Sequence, residues 1–326
     1  MKKVSIIIPV KEINDYIRES LPYIEKLDYD KKLIEVIVLP DNDGKIEGNF
    51  TFSLKIMPTG HIFPGAKRDL GIKNTTGEII AFIDDDVFPK EKWLKRAIEI
   101  FEESEKIGAV GGPAATPEND SFLQKVSGNI YASFLGGGGY RYRYIAEARR
   151  DVDDYPSCNL LIRRDVVEKI GGFNTDFWPG EDTVICLKIV KDLKLRIVYD
   201  PEVFVYHHRR NFFEGHINQV KNYAMHRGYF VKRFPETSFR VSYFLPTFFV
   251  AYLAVLLFSS WSLNGLPLII MALPMAAYLI LLLIDGLRVK NLQAGAYTML
   301  GIFVTHVYYG IYFMMGLLSA RLKEAK

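Results

Sequence analysis

Three consecutive carboxylates follow an uninterrupted apolar run in the segment GEIIAFIDDDVFP. In an extended chain, residues i and i+2 point the same way, so Asp84 and Asp86 can converge while Asp85 faces elsewhere. Carboxylates crowded at a strand end repel one another unless a cation neutralises them, and hard oxygen ligands suit Mg2+ or Mn2+. Such an ion, held by few protein ligands, keeps positions open for phosphate oxygens. The competing reading is a helix cap, with Asp86 opening a helix near Pro89.

Four further segments carry chemistry-bearing side chains. In GGFNTDFWPGEDTVICLKIV, Glu181 and Asp182 open an amphipathic stretch. A carboxylate there can take a proton from an acceptor hydroxyl. Acids also favour the first helical turn because of its dipole, which weakens them as bases unless they are partly desolvated. In PTGHIFPGAKRDLG, Lys67 and Arg68 lie early in a short helix; Arg suits phosphate, while the ordinary reading is a solvated helix face. In VYHHRRNF, a neutral His207 could complete a metal shell. Arg209 and Arg210 could neutralise a diphosphate or meet anionic lipid head groups. In FLGGGGYRYRYIAEARR, an extended chain puts Tyr140, Tyr142 and Tyr144 on one face and Arg141 and Arg143 on the other. Such a segment is a lid or acceptor loop, or an ordinary mobile connection. It has no phosphate-loop pattern, lacking the following Gly-Lys-Ser/Thr.

The elements that position these residues read as an α/β layered domain. Val- and Ile-rich runs predict strands at Val4–Pro9, Ile34–Leu39, Leu54–Met57, Glu78–Ile83, Gly108–Gly111, Asn159–Ile162 and Leu195–Tyr199. Between them, Ile13, Ile17, Leu21 and Ile24 share a helical face, with Pro22 expected to kink or shorten that helix. Leu94, Ile98 and Phe101 line a second helix, and Ile185, Ile189 and Leu193 a third. Alternation of this kind predicts a largely parallel sheet, with ligands beyond the carboxyl ends of its strands.

The chain's 326 residues carry a net charge of +3, too balanced for a nucleic-acid-binding protein. Cys158 and Cys186 are the two cysteines; with no CxxC or Cys/His cluster they exclude a structural zinc site and fit a reducing setting. The apolar start Val4–Val10 is short and broken by Ser5 and Pro9, so a first strand fits better than a secretory leader. The last quarter differs: Tyr243–Leu263, Leu266–Ile284 and Ala296–Leu318 each approach the roughly 20 residues that cross a bilayer. Residues 211–240 mix aromatics with bases, as an interfacial amphipathic helix does, or a connector helix packed on the domain. The uncharged link SLNG and the basic link DGLRVKN place the catalytic part in the cytoplasm and predict a multi-pass cell-membrane protein. The positive tail RLKEAK fits an outside location poorly, so the expected number of crossings is two to three. The expected organisation is thus 1–210 catalytic, 211–240 interfacial and 241–326 transmembrane.

Taken in order, these pieces resemble family-2 inverting glycosyltransferases of the GT-A fold, over roughly residues 1–230. VSIIIPVKEINDYIRESL looks like the family's opening strand and helix, and IEVIVLPD like its second strand with a donor-binding acid. PGAKRDLGIKNTTGEIIAFIDDD looks like the approach to its DxD motif, and SCNLLIRRDVVEKIGGFN with GED like its acceptor region and catalytic-base motif. The resemblance implies that Pro9, Lys11 and Glu12 border the nucleotide base and that Asp41 contacts the nucleoside. It puts Arg68, Asp84 and Asp85 on the donor side and makes Asp84 and Asp86 the DxD, Asp86 being the direct metal ligand. It makes Asp182 the catalytic base with Glu181 beside it. Pro40 stands where many relatives have another Asp, and Lys11–Glu12 replaces a more usual Tyr–Asn, so the donor's base and sugar are open. After Gln219 the sequence departs from the QxxRW of processive synthases, which implies a single transfer.

The expected partners are a nucleotide-diphosphate sugar, a lipid-linked or glycan acceptor and membrane lipids, with homo-oligomerisation open and no nucleic acid. The competing classes are a nucleotidyltransferase and a non-catalytic nucleotide-sugar binder. The former usually opens with a Gly-rich loop that PVKEINDYI lacks.

Overall fold

The computed structural model describes residues 1–175 and 177–322; of the tail RLKEAK only Arg321 and Leu322 fall among them. The described chain divides into two compact units, residues 1–115 with 142–208, and residues 116–141 with 209–322.

The first unit holds eleven strands among its described residues: β1 (Val4–Pro9), β2 (Ile34–Leu39), β3 (Ser53–Ile56), β4 (Ile79–Ile83), β5 (Val87–Pro89), β6 (Ile107–Gly111), β7 (Ala114–Ala115), β8 (Arg150–Val152), β9 (Asn159–Arg163), β10 (Arg196–Tyr199) and β11 (Val205–His207). Eight form one sheet in the order β3-β2-β1-β4-β9-β6-β10-β8. Every residue of β1 and β4 is buried, because both sheet faces are covered and their β-branched side chains fill that space. Strands β3, β2, β1 and β4 run parallel, but β9 is antiparallel to both β4 and β6, and β8 is antiparallel to β10. The sheet is therefore mixed, as the resemblance to the layered mixed sheet of the GT-A fold implies, where strand alternation alone predicts a largely parallel one. A strand buried on both faces is apolar throughout whichever way it runs, so its composition carries no direction. A second sheet, β5-β11-β7, was not expected; its strands are too short for a period to register.

The chain runs outward from β1 through β2 to β3, then returns to place β4 on the other side of β1. The crevice beyond the carboxyl ends of β1 and β4 is thus a topological switch point. Below it, the Asp15–Glu25 helix is capped by the Asn14 side chain, which accepts from the Ile17 amide, and buries Ile17, Leu21 and Ile24. Pro22 sits inside this helix, which runs three residues beyond it; near the C-terminal end its missing N–H removes one bond only. Ile13 precedes the helix and packs against the core from the loop. The Trp93–Glu103 helix starts after Lys92, so Asp86 is not its cap. Cys158 and Cys186 are free and buried.

The second unit is helical. Val241–Ser262, Leu266–Leu287 and Leu292–Leu318 are long and apolar enough to cross a membrane, and the first two bury little of their surface. Large apolar side chains point outward, with Phe258 77% and Trp261 87% exposed. The Glu214–Arg233 helix buries His216, Ile217, Val220, Ala224, Gly228 and Val231, a stripe of helical spacing. That face lies against Leu292–Leu318. A Cβ on Gly228 would sit 2.0 Å from the Phe313 carbonyl oxygen, and one on Gly316 1.9 Å from that of Met225. Small residues at both places let the two backbones touch. The apolar stripe of the expected interfacial segment is therefore occupied by a neighbouring helix. The glycine-rich stretch is folded rather than extended: Phe134–Gly137 is a helical turn and Gly138–Arg143 a 3-10 turn. Buried Asp285 accepts the amide protons of Phe134 (3.1 Å) and Leu135 (2.8 Å), which ties that turn to the Leu266–Leu287 helix.

Candidate active site

Strand β4 delivers Asp84 to the switch-point crevice, and the turn Asp84–Asp86 leads into β5. Strand β11 pairs antiparallel with β5, placing His207 opposite Val87, and the His208 amide donates to the Asp86 carbonyl at 3.0 Å. This small sheet brings a histidine from more than a hundred residues away to the acidic turn. Asp84, Asp86 and His207 each offer a ligand atom, all within 4.8 Å of one another. His207 Nε2 lies 3.2 Å from Asp86 Oδ1. Burial alone would lower the His207 pKa, but the charge and hydrogen bond of Asp86 push it up to about 10. Asp85 is not part of this group; in the turn it accepts from Asn14 Nδ2 at 2.5 Å. Burial, and then the charge of Asp86, raise its carboxyl to about 6. Two carboxylates and an imidazole with further positions open fit a hard divalent cation that also binds phosphate.

Beside Asp84 stands an ion triad. Arg68 is buried; its Nη2 donates to Asp84 Oδ1 at 2.8 Å and its Nη1 to Glu181 Oε1 at 2.9 Å. Its Nε is buried with no hydrogen-bond partner among the described residues, and the guanidinium lies 5.3 Å from the Phe173 ring centre. Lys67 is equally buried, donating to the carbonyls of Val10 (2.6 Å) and Leu39 (3.0 Å) and to Asp41 Oδ1. The solvated-face reading of Lys67 and Arg68 is thus overturned: the Pro64–Lys73 helix turns both inward, where strand-end carbonyls and carboxylates replace water. Asp41 also accepts from His61 Nδ1 (2.9 Å), and its amide donates to the Lys11 carbonyl (2.9 Å). Pro9 at the end of β1, Lys11 after it and Asp41 after β2 are therefore gathered at one sheet end, where Lys67 ties Val10, Leu39 and Asp41 together and Glu12 is exposed.

Gly180 adopts φ +122, which a side chain resists, and starts the Glu181–Leu187 helix. Glu181 is buried and Asp182 partly exposed. Burial raises the Glu181 carboxyl above its ordinary range, against the pull of Arg68. The dipole's expected acidifying effect is outweighed there. Glu181 is engaged by Arg68, and partly exposed Asp182 accepts from the Thr183 amide at 2.8 Å.

Arg143 Nη2 donates to the Asp154 carbonyl at 2.6 Å, and the neighbouring Tyr142 is buried, so this end of the glycine-rich stretch is an anchor. Arg141, Arg209 and Arg210 belong to the second unit. Arg209 is buried, donating from Nε to Thr116 Oγ1 and from its amide to Asp120 Oδ2, both at 3.1 Å. Arg210 is exposed. Sequence reasoning missed Asn14, the tether of Asp85, and Asn159, whose buried amide donates to the Gly112 (2.6 Å) and Val203 (2.8 Å) carbonyls and accepts from Trp93 Nε1 (2.8 Å). Asn159 opens β9 opposite Ile83, the last residue of β4, and so stands at the same crevice end, but nothing in SCNLL marks its side chain as a buried tether.

Known proteins resemble this chain in sequence and in fold. The glycosyltransferase AglE of Haloferax volcanii is 28% identical over 226 residues, 65% of this chain and 68% of the relative. The dolichyl N-acetyl-alpha-D-glucosaminyl phosphate 3-beta-D-2,3-diacetamido-2,3-dideoxy-beta-D-glucuronosyltransferase of Methanococcus voltae is 23% identical over 307 residues, 88% of each chain. Among solved structures, the mannosyltransferase PcManGT from Pyrobaculum calidifontis, in complex with GDP-Man and Mn2+, matches with a TM-score of 0.64 at 15% identity, covering 98% of this chain and 88% of its own. The mixed sheet is that of the GT-A fold, followed by helices able to cross a membrane. The model of the family described as "Glycosyl transferase family 2" matches residues 5–171, from the first strand to the glycine that ends the Arg164–Ile170 helix. Spanning just over half of the sequence and carrying the acidic turn within it, that match means that this chain belongs to glycosyltransferase family 2.

Proposed function

We propose that this chain transfers a single sugar, with inversion, from a nucleotide-diphosphate sugar to a lipid-linked acceptor at a membrane. The observation that carries the reading is the convergence of Asp84, Asp86 and His207 beside buried Arg68 at the switch point between β1 and β4. A divalent ion, Mn2+ or Mg2+, held by those three residues would offset the charge of the departing nucleoside diphosphate. Arg68, fixed by Glu181 and Asp84, holds the acidic turn in shape and adds positive potential beside it. Pro9, Lys11 and Asp41, at the sheet end that Lys67 ties, border the nucleoside. Asp182 takes the acceptor hydroxyl's proton as its oxygen attacks the anomeric carbon. With an acceptor that is already anionic, such as a polyprenyl phosphate, Asp182 orients it instead.

Three apolar helices in the same chain favour an acceptor that resides in the bilayer, and the Methanococcus voltae relative is named for a dolichyl-linked one. The basic link with Arg288 and Lys290 favours a cytoplasmic transferase unit. In this division, residues 1–210 carry the chemistry except for 116–141, residues 211–240 connect, and 241–326 anchor the chain.

The test is transfer of labelled sugar from a panel of UDP- and GDP-sugars into the lipid extract of membranes carrying the chain. Metal-dependent label in the lipid fraction, reduced at least a hundredfold in Asp182→Asn, supports the reading with a hydroxyl acceptor. Label confined to water-soluble glycan removes the lipid acceptor, and no transfer from any donor removes the function.

A further inference from the structure

The second unit contains a cavity of about 910 Å³ that the transfer chemistry does not use. It is large enough for a small-molecule ligand, a class of site spanning roughly 300–1,000 Å³. Four cations line it: Lys125, Arg141, Arg288 and Lys290. Two acids join them, Glu118 and Asp285. Asp285 is already engaged by the amides of Phe134 and Leu135 and by Arg288 at 3.5 Å, so the lining keeps a positive excess. The first turns of two long helices, Phe122–Ala132 and Leu292–Leu318, also border the space through Phe122, Lys125 and Ala294, adding their positive dipole ends.

The cavity's level is set by its own residues. Arg288 and Lys290 lie in the link between two helices long enough to cross a membrane, so the link sits where the bilayer meets water. Leu287 and Leu292 on either side of it are 66% and 82% exposed, and Phe134 on the cavity wall is half exposed. A cationic hollow bordered by outward-facing apolar side chains suits an amphiphile with an anionic head and an apolar tail. Basic pockets between membrane helices take lipid head groups on these grounds.

We propose that this cavity binds the phosphate headgroup of a membrane lipid, with Lys125 and Lys290 as its principal phosphate contacts. The lipid is an isoprenoid phosphate or an acidic phospholipid. The site lies wholly within the second unit, and its existence does not depend on the transferase reading.

The test uses the full chain, purified and delipidated in neutral detergent. Intrinsic-fluorescence titrations with farnesyl phosphate, dioctanoylphosphatidylglycerol, dioctanoylphosphatidylcholine and inorganic phosphate give four affinities without reference to turnover. Saturable binding of either anionic lipid, weakened at least tenfold in Lys125→Gln/Lys290→Gln and unchanged in Arg321→Gln, supports the proposal. Tighter farnesyl phosphate identifies an isoprenoid ligand, and tighter phosphatidylglycerol a bulk phospholipid. Equal binding of phosphatidylcholine, inorganic phosphate as tight as either lipid, or wild-type affinity in the double variant overturns it. If the double variant melts below the native chain, Lys125→Gln alone is read, with a threefold loss expected and no loss overturning the proposal.

Discussion

Replacing Arg68 by methionine removes the one cation that Asp84 and Glu181 share. Breaking a buried ion pair from one side leaves an uncompensated charge and costs about 3–5 kcal/mol. Here both partners are stranded, but not equally. Asp84 is one-third exposed, so water recovers part of its loss, while Glu181 is 8% exposed and cannot be rehydrated in place. Glu181 has a raised pKa already, and without Arg68 it takes up a proton, which limits the cost to the same range of about 3–5 kcal/mol. In a unit of this size each kcal/mol moves the melting midpoint by about 2–4 °C, so the drop is roughly 6–20 °C. Arg68→Met/Glu181→Gln removes the stranded charge together with its partner and recovers about 2 kcal/mol of that loss. The assay is the fluorescence melting midpoint of the metal-free chain in detergent, for the native protein, both single variants and the double. A midpoint for Arg68→Met within 2 °C of native, or a double variant no more stable than Arg68→Met, would refute the account of this triad.

Two further outcomes concern stability. Asp85 has its carboxyl raised to about 6 in the fold against an ordinary value of 3.8, so the native state holds its proton more tightly than the unfolded chain. Its contribution is complete below pH 4 and is lost as pH rises to 6, by at most about 3 kcal/mol. Asp85→Asn should therefore raise the metal-free midpoint at pH 7 and leave it unchanged at pH 4; equal midpoints at pH 7 would count against a desolvated Asp85. Gly228→Ala should lower the midpoint although alanine gains up to about 1 kcal/mol of helix propensity, because its Cβ meets a backbone oxygen that moves only with the whole Leu292–Leu318 helix. A raised midpoint would mean that the two helices do not touch there.

The parts of this molecule legible in the sequence are those written locally. Continuous Val and Ile runs mark β1, β2 and β4, and the triple acid marks the end of β4, although Asp84 and Asp86 converge across a turn and not along an extended strand. The direction of β9 is not written locally, since burial on both faces makes either direction equally apolar. Nor is the β5-β11-β7 sheet, whose strands of two or three residues hold no period, although it alone carries His207 to Asp86. Lys67 and Arg68 look like surface residues in any window around them; their partners stand 26 and 113 positions away, at Asp41 and Glu181. The Glu214–Arg233 stripe is visible as amphipathic, but the same pattern serves a membrane surface or a partner helix. The glycines at 228 and 316 decide between them only once the two helices are laid together.

In the proposed function, Asp84, Asp86 and His207 hold one divalent ion. Electron spin echo modulation of Mn2+ bound to the full chain tests it most directly, because the nitrogen of a coordinating histidine modulates the echo. The expected result is one bound Mn2+ per chain with histidine nitrogen modulation, weaker binding without that modulation in His207→Ala, and at least tenfold weaker binding in Asp86→Ala. Native-like Mn2+ affinity in Asp86→Ala, or nitrogen modulation that persists in His207→Ala, would contradict it.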